Sequence, residues 1–232
     1  MNLDEQILLI ANGYHTPFLD FLMTAFTGSL IWVPFYIACF AGLVYKYGWS
    51  KAFVMLAVIG CAVAAADQVC SHMLRPMFER LRPSNLENPF SQYITVVNGY
   101  RGGAYGFPSC HASNCFALVG ALSVFTLSRR FTAILTVWAL LLCFTRMYLG
   151  VHYPSDLLVG AMIGGTIGAS FAMICRSLAP NIKKYRQSTG YTPYTLRLQS
   201  ITSSTITLTP VTIPVAILLL TLLICTMVSI II

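Results

Sequence analysis

The sequence predicts an all-α fold: a bundle of about six transmembrane helices, preceded by a short helix in the membrane interface. Of the 232 residues, 57% are hydrophobic and only 9% are charged, whereas soluble domains carry roughly a quarter charged residues. The mean hydropathy is +0.74. Six apolar runs come close to the roughly 20 residues that a helix needs to cross a bilayer. They cover residues 21–45, 52–74, 110–128, 131–149, 156–178 and 212–232.

The chain divides into four predicted parts. Residues 1–20 form an N-terminal interfacial segment, because LDEQILLIANGY sets apolar residues beside acidic ones in a stretch too short to span. Residues 21–178 form the transmembrane core. Residues 179–211 are rich in Ser and Thr and form a polar cytoplasmic linker, and residues 212–232 form a C-terminal transmembrane helix. The opening MNLDEQ lacks a basic region, so no cleaved targeting peptide is expected.

Basic residues are distributed unequally between the two sides of the membrane. If the spans alternate in direction, nine of the 14 Lys and Arg fall on one side, which has no Asp or Glu. The positive-inside rule makes that side cytoplasmic. The net charge of +7 therefore reflects how basic residues are distributed across the membrane, and no nucleic-acid partner is expected. Five arginines are left on the outer side: Arg75, Arg80, Arg82, Arg101 and Arg146.

The eight cysteines are scattered singly, and the sequence has no CxxC pair. Because seven of them lie well inside apolar runs, we interpret them as small packing residues rather than as a disulfide framework or a metal site.

Three short polar stretches are predicted on the outer face. They are RPMFERLRP (residues 75–83), PSCH (108–111) and TRMYLGVHYPSD (145–156). Three guanidiniums around one point, those of Arg75, Arg82 and Arg146, suit a tetrahedral oxyanion such as phosphate. A helix that begins at PSCH would aim backbone N–H groups at the same anion.

His152 and Asp156 are four residues apart across a predicted helix start. The carboxylate can hold one imidazole nitrogen, which fixes the tautomer and leaves the other nitrogen to attack phosphorus. His111, on another helix, can protonate the leaving oxygen. Taken singly, each residue has a simpler interpretation: arginines anchored at lipid headgroups, Ser109 as a helix cap, an interfacial histidine, and Asp156 as a first-turn charge.

The three stretches resemble the motifs of the type 2 phosphatidic acid phosphatase (PAP2) family, whose fold is shared with vanadium haloperoxidases. That family carries K-x6-R-P, P-S-G-H and S-R-x5-H-x3-D in this order. Here Arg75 replaces the lysine, Cys110 the glycine and Thr145 the serine, and the spacing is retained. The resemblance covers roughly residues 20–178.

The resemblance implies a metal-independent lipid phosphatase without a cofactor that works through a phosphohistidine. It implies that His152 is the nucleophile, Asp156 its orienting partner and His111 the acid. The implied phosphate-binding residues are Arg75, Arg82, Ser109 and Arg146. The expected setting is the bacterial inner membrane, and the count of basic residues predicts that the site faces the periplasm.

The expected substrate is a phosphate monoester or diphosphate of a membrane lipid. The candidates are undecaprenyl diphosphate, lipid A and phosphatidylglycerol phosphate, in that order. The glycine-rich stretch NGYRGGAYGF, residues 98–107, is predicted to fold closely over the site, where Arg101 could contact the headgroup. The alternatives are a non-catalytic lipid or anion transporter and, on the same scaffold, a vanadium-dependent haloperoxidase. The sequence leaves the oligomeric state open.

Overall fold

The computed structural model describes residues 1–179, 197–198, 206–207, 214 and 216–221. Its α-helices are α1 Leu3–Ala11, α2 Pro17–Thr27, α3 Val33–Tyr47, α4 Trp49–Gln68, α5 Arg75–Phe78, α6 Cys110–Thr126, α7 Arg129–Tyr148 and α8 Pro154–Leu178. A π-helical turn, Val69–Leu74, joins α4 to α5, and 3-10 turns cover Leu30–Trp32, Pro89–Tyr93 and Val97–Gly99. A two-residue antiparallel ladder pairs β1 Arg197–Leu198 with β2 Ile206–Thr207. The all-α prediction is confirmed.

Four helical stretches in the described part of the chain are long and apolar enough to cross a membrane: Leu30–Tyr47, Trp49–Phe78, Arg129–Tyr148 and Pro154–Leu178. The helices α2 and α6 are apolar but shorter. On α7 and α8, large apolar side chains face outward, as lipid contact requires. They include Val137, Leu140, Leu158, Met162, Met173 and Ile174.

The run 21–45 is not one span, contrary to the prediction. The helix α2 ends at Thr27, Gly28 is extended at φ −73° and ψ 136°, and α3 begins at Val33. Glycine is a poor helix former, and Pro34 suits the first turn of a new helix. Of the predicted span 212–232, residues 216–221 are helical, and most of the remainder lies outside the described residues.

Helices α6 and α8 cross in close contact through a stripe of glycines. A Cβ atom added to Gly160 would lie 2.4 Å from the Ser109 carbonyl oxygen, one on Gly164 1.9 Å from that of Ser113, and one on Gly168 2.0 Å from that of Ala117. Such small-xxx-small spacing lets helix backbones approach. This crossing sets the start of α6 against the start of α8, where two of the three polar stretches lie.

The N-terminal helix α1 is docked on the bundle. A capping box between Asn2 and Glu5 begins it. Leu8 is fully buried in a cluster with Phe90, Ile94 and Tyr153. The opposite face of α1 leaves apolar side chains exposed, namely Leu3, Ile7 and Ile10. One face of α1 therefore packs on the bundle, and the location of the other face in the membrane interface stays a prediction.

Candidate active site

Residues of the three polar stretches meet at one end of the bundle. Ser109 N–H, at the start of α6, donates to the Asp156 carbonyl in the first turn of α8 at 3.0 Å. Arg75 Nε donates to the Pro108 carbonyl at 3.4 Å. Arg82 Nη1 lies 2.9 Å from His152 Nε2. The fold thus brings together side chains that are as many as 81 positions apart in the chain, from Arg75 to Asp156.

The hydrogen bonds of His152 define its tautomer. A guanidinium can only donate, so Nε2 accepts from Arg82 Nη1 and carries the lone pair. The proton is therefore on Nδ1, which lies 3.4 Å from Asp156 Oδ2. The same carboxylate oxygen accepts the Tyr153 N–H at 2.9 Å. This is the arrangement that the spacing of His152 and Asp156 predicts.

Electrostatics keep the His152 ring neutral. The side chain is 1% exposed. Burial, followed by the guanidiniums of Arg82 and Arg146, holds the pKa of His152 well below its usual range. A neutral imidazole at physiological pH retains the lone pair that a nucleophile needs.

Arg82 and Arg146 are buried cations without a carboxylate partner among the described residues, at 6% and 5% exposure. Arg82 Nη1 donates to the Val151 carbonyl at 3.0 Å, and Arg146 Nη1 donates to Thr27 Oγ1 at 2.7 Å. Within the described residues, the Nε–H of each has no acceptor. Burial and the neighbouring charges of Arg75 and Arg146 lower the pKa of Arg82 to about 10, so it remains charged at neutral pH.

Ser109 and His111 lie at the start of α6. Ser109 is fully buried, and its hydroxyl accepts the Ala112 N–H at 3.4 Å, so it is the N-cap of the helix. His111 Nε2 lies 3.2 Å from the Thr27 carbonyl oxygen and donates to it. The second ring nitrogen of His111 then carries no proton in its neutral form.

Thr27 and Tyr100 contact the site, and sequence reasoning missed both. Thr27 accepts from Arg146 through its hydroxyl and from His111 through its carbonyl. Tyr100 Oη accepts from Arg146 Nη2 at 3.4 Å, and the guanidinium carbon lies 5.7 Å from its ring centroid. The only sequence signal for Tyr100 was its position in the glycine-rich stretch, and Thr27 gave none.

The glycine-rich stretch folds closely over Arg82, as predicted. A Cβ atom on Gly102 would lie 3.2 Å from Arg82 Nε, and one on Gly106 would lie 3.2 Å from Asp156 Oδ2. Gly102 also has φ +72°, which favours glycine. Arg101 Nη1 donates to the Ser84 carbonyl at 2.6 Å. Contact between Arg101 and a headgroup stays a prediction.

Cys110, at the position of the motif glycine, has a structural explanation. Its thiol lies beside that of Cys70 in the π-helical turn. The side chain therefore packs against α4 and its extension. A cysteine fits between Ser109 and His111 because its side chain packs against a small neighbour, Cys70.

Comparison with known proteins agrees with the fold. The sequence profile of the PAP2 superfamily matches residues 56–179. A lipid A 4′-phosphatase of Bacteroides thetaiotaomicron is 43% identical over 182 residues, which cover 78% of this chain and 81% of the relative. A lipid A 4′-phosphatase of Porphyromonas gingivalis is 32% identical over 170 residues, covering 72% of this chain and 71% of the relative.

A solved structure shares the fold. It is the crystal structure of a transmembrane PAP2-type phosphatidylglycerolphosphate phosphatase from Bacillus subtilis, with a TM-score of 0.53 and 24% identity. The match covers 79% of this chain and 87% of that one. The helical bundle and these matches define a multi-pass membrane phosphatase that acts on a lipid. The chain belongs to the PAP2 superfamily.

Proposed function

We propose that this protein removes the 4′-phosphate of lipid A. Two relatives that carry this activity in their names are 43% and 32% identical to the chain over most of its length. Because of this similarity we place lipid A first among the candidate substrates, whereas the sequence alone placed undecaprenyl diphosphate first. An undecaprenyl-diphosphatase of Sulfolobus acidocaldarius is 27% identical.

The observation that carries the phosphate-binding part of the proposal is the pair of buried guanidiniums of Arg82 and Arg146. Removing a cation from water is costly unless an anion compensates it. Neither arginine has a carboxylate partner among the described residues, and each has an Nε–H without an acceptor there. A phosphate that accepts these N–H groups, with Arg75 and the N-terminus of α6 nearby, supplies the missing negative charge.

An apolar cavity beside the site supports a lipid substrate. Its volume is about 390 Å³, which corresponds to on the order of a dozen water-sized groups. Its lining includes the polar residues Thr27, Ser29 and His111 and the apolar residues Leu43, Leu122 and Trp138. Because Thr27 also bonds Arg146, the cavity begins at the phosphate site and extends between the helices. An acyl chain fits this environment.

The proposed reaction has two steps. The Nε2 lone pair of His152 attacks phosphorus, the bond from phosphorus to the lipid oxygen breaks, and protonated His111 gives its proton to that oxygen. Water then attacks the phosphohistidine, His111 takes a proton from the water, and phosphate leaves. Arg82 covers Nε2 in the structure, and a bound phosphate that draws this guanidinium to itself frees the lone pair. Arg75, Ser109 and Arg146 hold the phosphoryl oxygens.

We further propose that the site faces the periplasm and that the chain resides in the bacterial inner membrane. The charge asymmetry of the sequence supports this orientation. In a cysteine-free background, Gln92→Cys should react with an impermeant thiol reagent in intact spheroplasts, whereas Arg130→Cys at the other end of the bundle should react only after lysis. The reverse pattern would overturn the orientation. The four-part division at residues 20, 178 and 211 stays a proposal.

A substrate panel tests the function. Purified protein in detergent is given lipid A, undecaprenyl diphosphate and phosphatidylglycerol phosphate in turn, with and without a chelator, and released phosphate is measured. We expect the highest kcat/KM with lipid A and no effect of the chelator. Faster hydrolysis of another lipid would refute the substrate assignment. No release from any lipid would favour the transporter alternative.

A further inference from the structure

Arg80 lies outside the residues that the motifs mark, yet it contacts the His–Asp pair. Its Nη1 donates to Asp156 Oδ1 at 2.8 Å and to Ser155 Oγ at 2.6 Å. Its Nη2 donates to Asp4 Oδ2 at 2.7 Å. The guanidinium carbon lies 4.1 Å from the centroid of the Tyr153 ring. Two carboxylates and an aromatic ring thus hold the Arg80 guanidinium on three sides, whereas Arg82 and Arg146 have no carboxylate partner among the described residues.

Asp4 joins the N-terminal helix α1 to the start of α8. Its Oδ1 accepts the Ser155 N–H at 2.9 Å, and its Oδ2 accepts from the Ser155 hydroxyl and from Arg80. A carboxylate at a helix N-terminus is favoured by the helix dipole. Burial raises the pKa of Asp4, but hydrogen bonds from Arg80 and Ser155 outweigh this effect and lower the pKa overall. The carboxylate is therefore charged at neutral pH.

These contacts form one continuous path. It runs from Asp4 through Arg80 to Asp156 and from there to Nδ1 of His152. Asp156 is fully buried, with Tyr153 N–H and His152 on one carboxylate oxygen and Arg80 on the other. A buried carboxylate keeps its charge and its orientation only when such partners are present.

We propose that Arg80 and Asp4 are positioning residues for catalysis, an inference that rests on the proposed nucleophilic role of His152. Arg80 keeps Asp156 charged and correctly oriented, so that Asp156 stabilises the positive charge that develops on His152 when Nε2 bonds to phosphorus. Asp4 holds Arg80 in place. The N-terminal helix therefore supports the catalytic pair.

The first test compares Arg80→Gln with Arg80→Lys in the lipid phosphatase assay. A positioning role predicts that Arg80→Gln lowers kcat by about 10- to 100-fold, by analogy with the loss of carboxylates that orient metal-binding histidines. KM should change little, because the phosphate oxygens contact other arginines. Arg80→Lys keeps the positive charge but has one ammonium group in place of the two-pronged guanidinium. It should therefore recover part of the kcat that Arg80→Gln loses.

The second test separates positioning from folding. Arg80 is 32% exposed, so Arg80→Ala leaves an opening that guanidinium ion can enter from solvent. Added guanidinium should restore part of kcat to Arg80→Ala and should not raise kcat of the wild type. A merely structural loss would not be rescued in a protein that is already folded.

The third test uses a matched pair on α1. Asp4→Asn removes a charge from the path, and Glu5→Gln removes one from the same helix while retaining the capping box with Asn2. We expect Asp4→Asn to lower kcat roughly two- to fivefold, as suits a partly exposed ion pair. Glu5→Gln should match the wild type.

The outcomes separate this inference from the proposed function. If the wild type releases no phosphate from any lipid, the proposed function fails. If the wild type is active while Arg80→Gln retains its kcat, or Asp4→Asn equals Glu5→Gln and guanidinium rescues nothing, the positioning role is wrong. Should Arg80→Gln not fold, the Asp4 pair and the guanidinium experiment decide the question.

Discussion

Two buried arginines at the site end of the bundle are held differently from two basic side chains at the other end. At the end away from the site, Lys46 Nζ donates to the Thr126 carbonyl at 2.7 Å and Arg176 Nη1 donates to the Val124 carbonyl at 2.6 Å. Both acceptors lie in the last turn of α6, where carbonyls lack helical partners. At the site end, Arg82 and Arg146 are buried and keep donors without an acceptor among the described residues.

This difference separates cations that are compensated within the fold from cations that lack a compensating anion. A cation that caps a helix C-terminus is compensated by carbonyl oxygens and the helix dipole, so it needs no further partner. Buried guanidiniums with unused donors destabilise the fold until an anion arrives. The free energy recovered at that point is available for binding phosphate. The positive-inside rule counts both kinds of residue alike, whereas their contacts distinguish them.

The largest expected contrast involves His152, the proposed nucleophile at the site end. His152→Asn should lower kcat by at least about 10⁴-fold, because the phosphohistidine cannot form. Rapid quenching with a labelled lipid phosphate should trap an acid-labile phosphoprotein in the wild type only. His72→Ala, which removes an exposed histidine bonded to Ser71, is the control and should retain activity. Activity in His152→Asn would refute the assignment.

A matched pair of arginines tests the comparison directly. Arg146→Gln should lower kcat/KM by about 10²- to 10³-fold, since it removes a proposed donor to the phosphoryl oxygens. Arg176→Gln should leave kcat/KM unchanged and destabilise the protein by about 1–2 kcal/mol, through loss of a charge-assisted hydrogen bond. Steady-state kinetics and thermal unfolding in detergent measure both. Equal effects of the two substitutions on kcat/KM would contradict the division between the ends.

The glycine stripe supports a prediction of intermediate size. Gly164→Ala would place a Cβ atom 1.9 Å from the Ser113 carbonyl oxygen, whereas Gly165→Ala meets nothing within 4 Å. The first substitution should destabilise the protein by about 1–3 kcal/mol through overpacking. Because α6 and α8 carry Ser109 and Asp156, kcat should fall as well. Gly165→Ala is the control, and equal unfolding temperatures for the two variants would contradict the close crossing.

The site was largely predictable from the sequence because its residues belong to spaced motifs. The structure brings the motif residues together as the motifs imply: Arg75, Arg82, Ser109, His111, Arg146, His152 and Asp156. Their catalytic roles are proposals. Contacts between distant segments were not predictable: Thr27 and Asp4 carry no motif, and their partners lie more than 75 positions away. The spans were predicted from apolar runs, which do not register the break at Gly28, since glycine does not interrupt hydrophobicity.

The smallest expected effect is a dependence of protein stability on pH that arises from His152 at the site end of the bundle. His152 has a pKa well below its usual range when folded, whereas the unfolded chain restores a value near 6.5. Below about pH 6.5 the unfolded chain binds a proton at His152 that the folded protein does not bind. The free energy of unfolding is therefore unaffected by this ring above about pH 6.5 and falls as the pH decreases toward the folded pKa. The decrease is at most about 1.4 kcal/mol per pH unit. Thermal unfolding between about pH 5 and pH 8 should show a slope that His152→Gln reduces and Arg176→Gln does not. An unchanged slope in His152→Gln would mean that the pKa of His152 is the same in the folded and the unfolded protein, which would contradict a ring held neutral by burial.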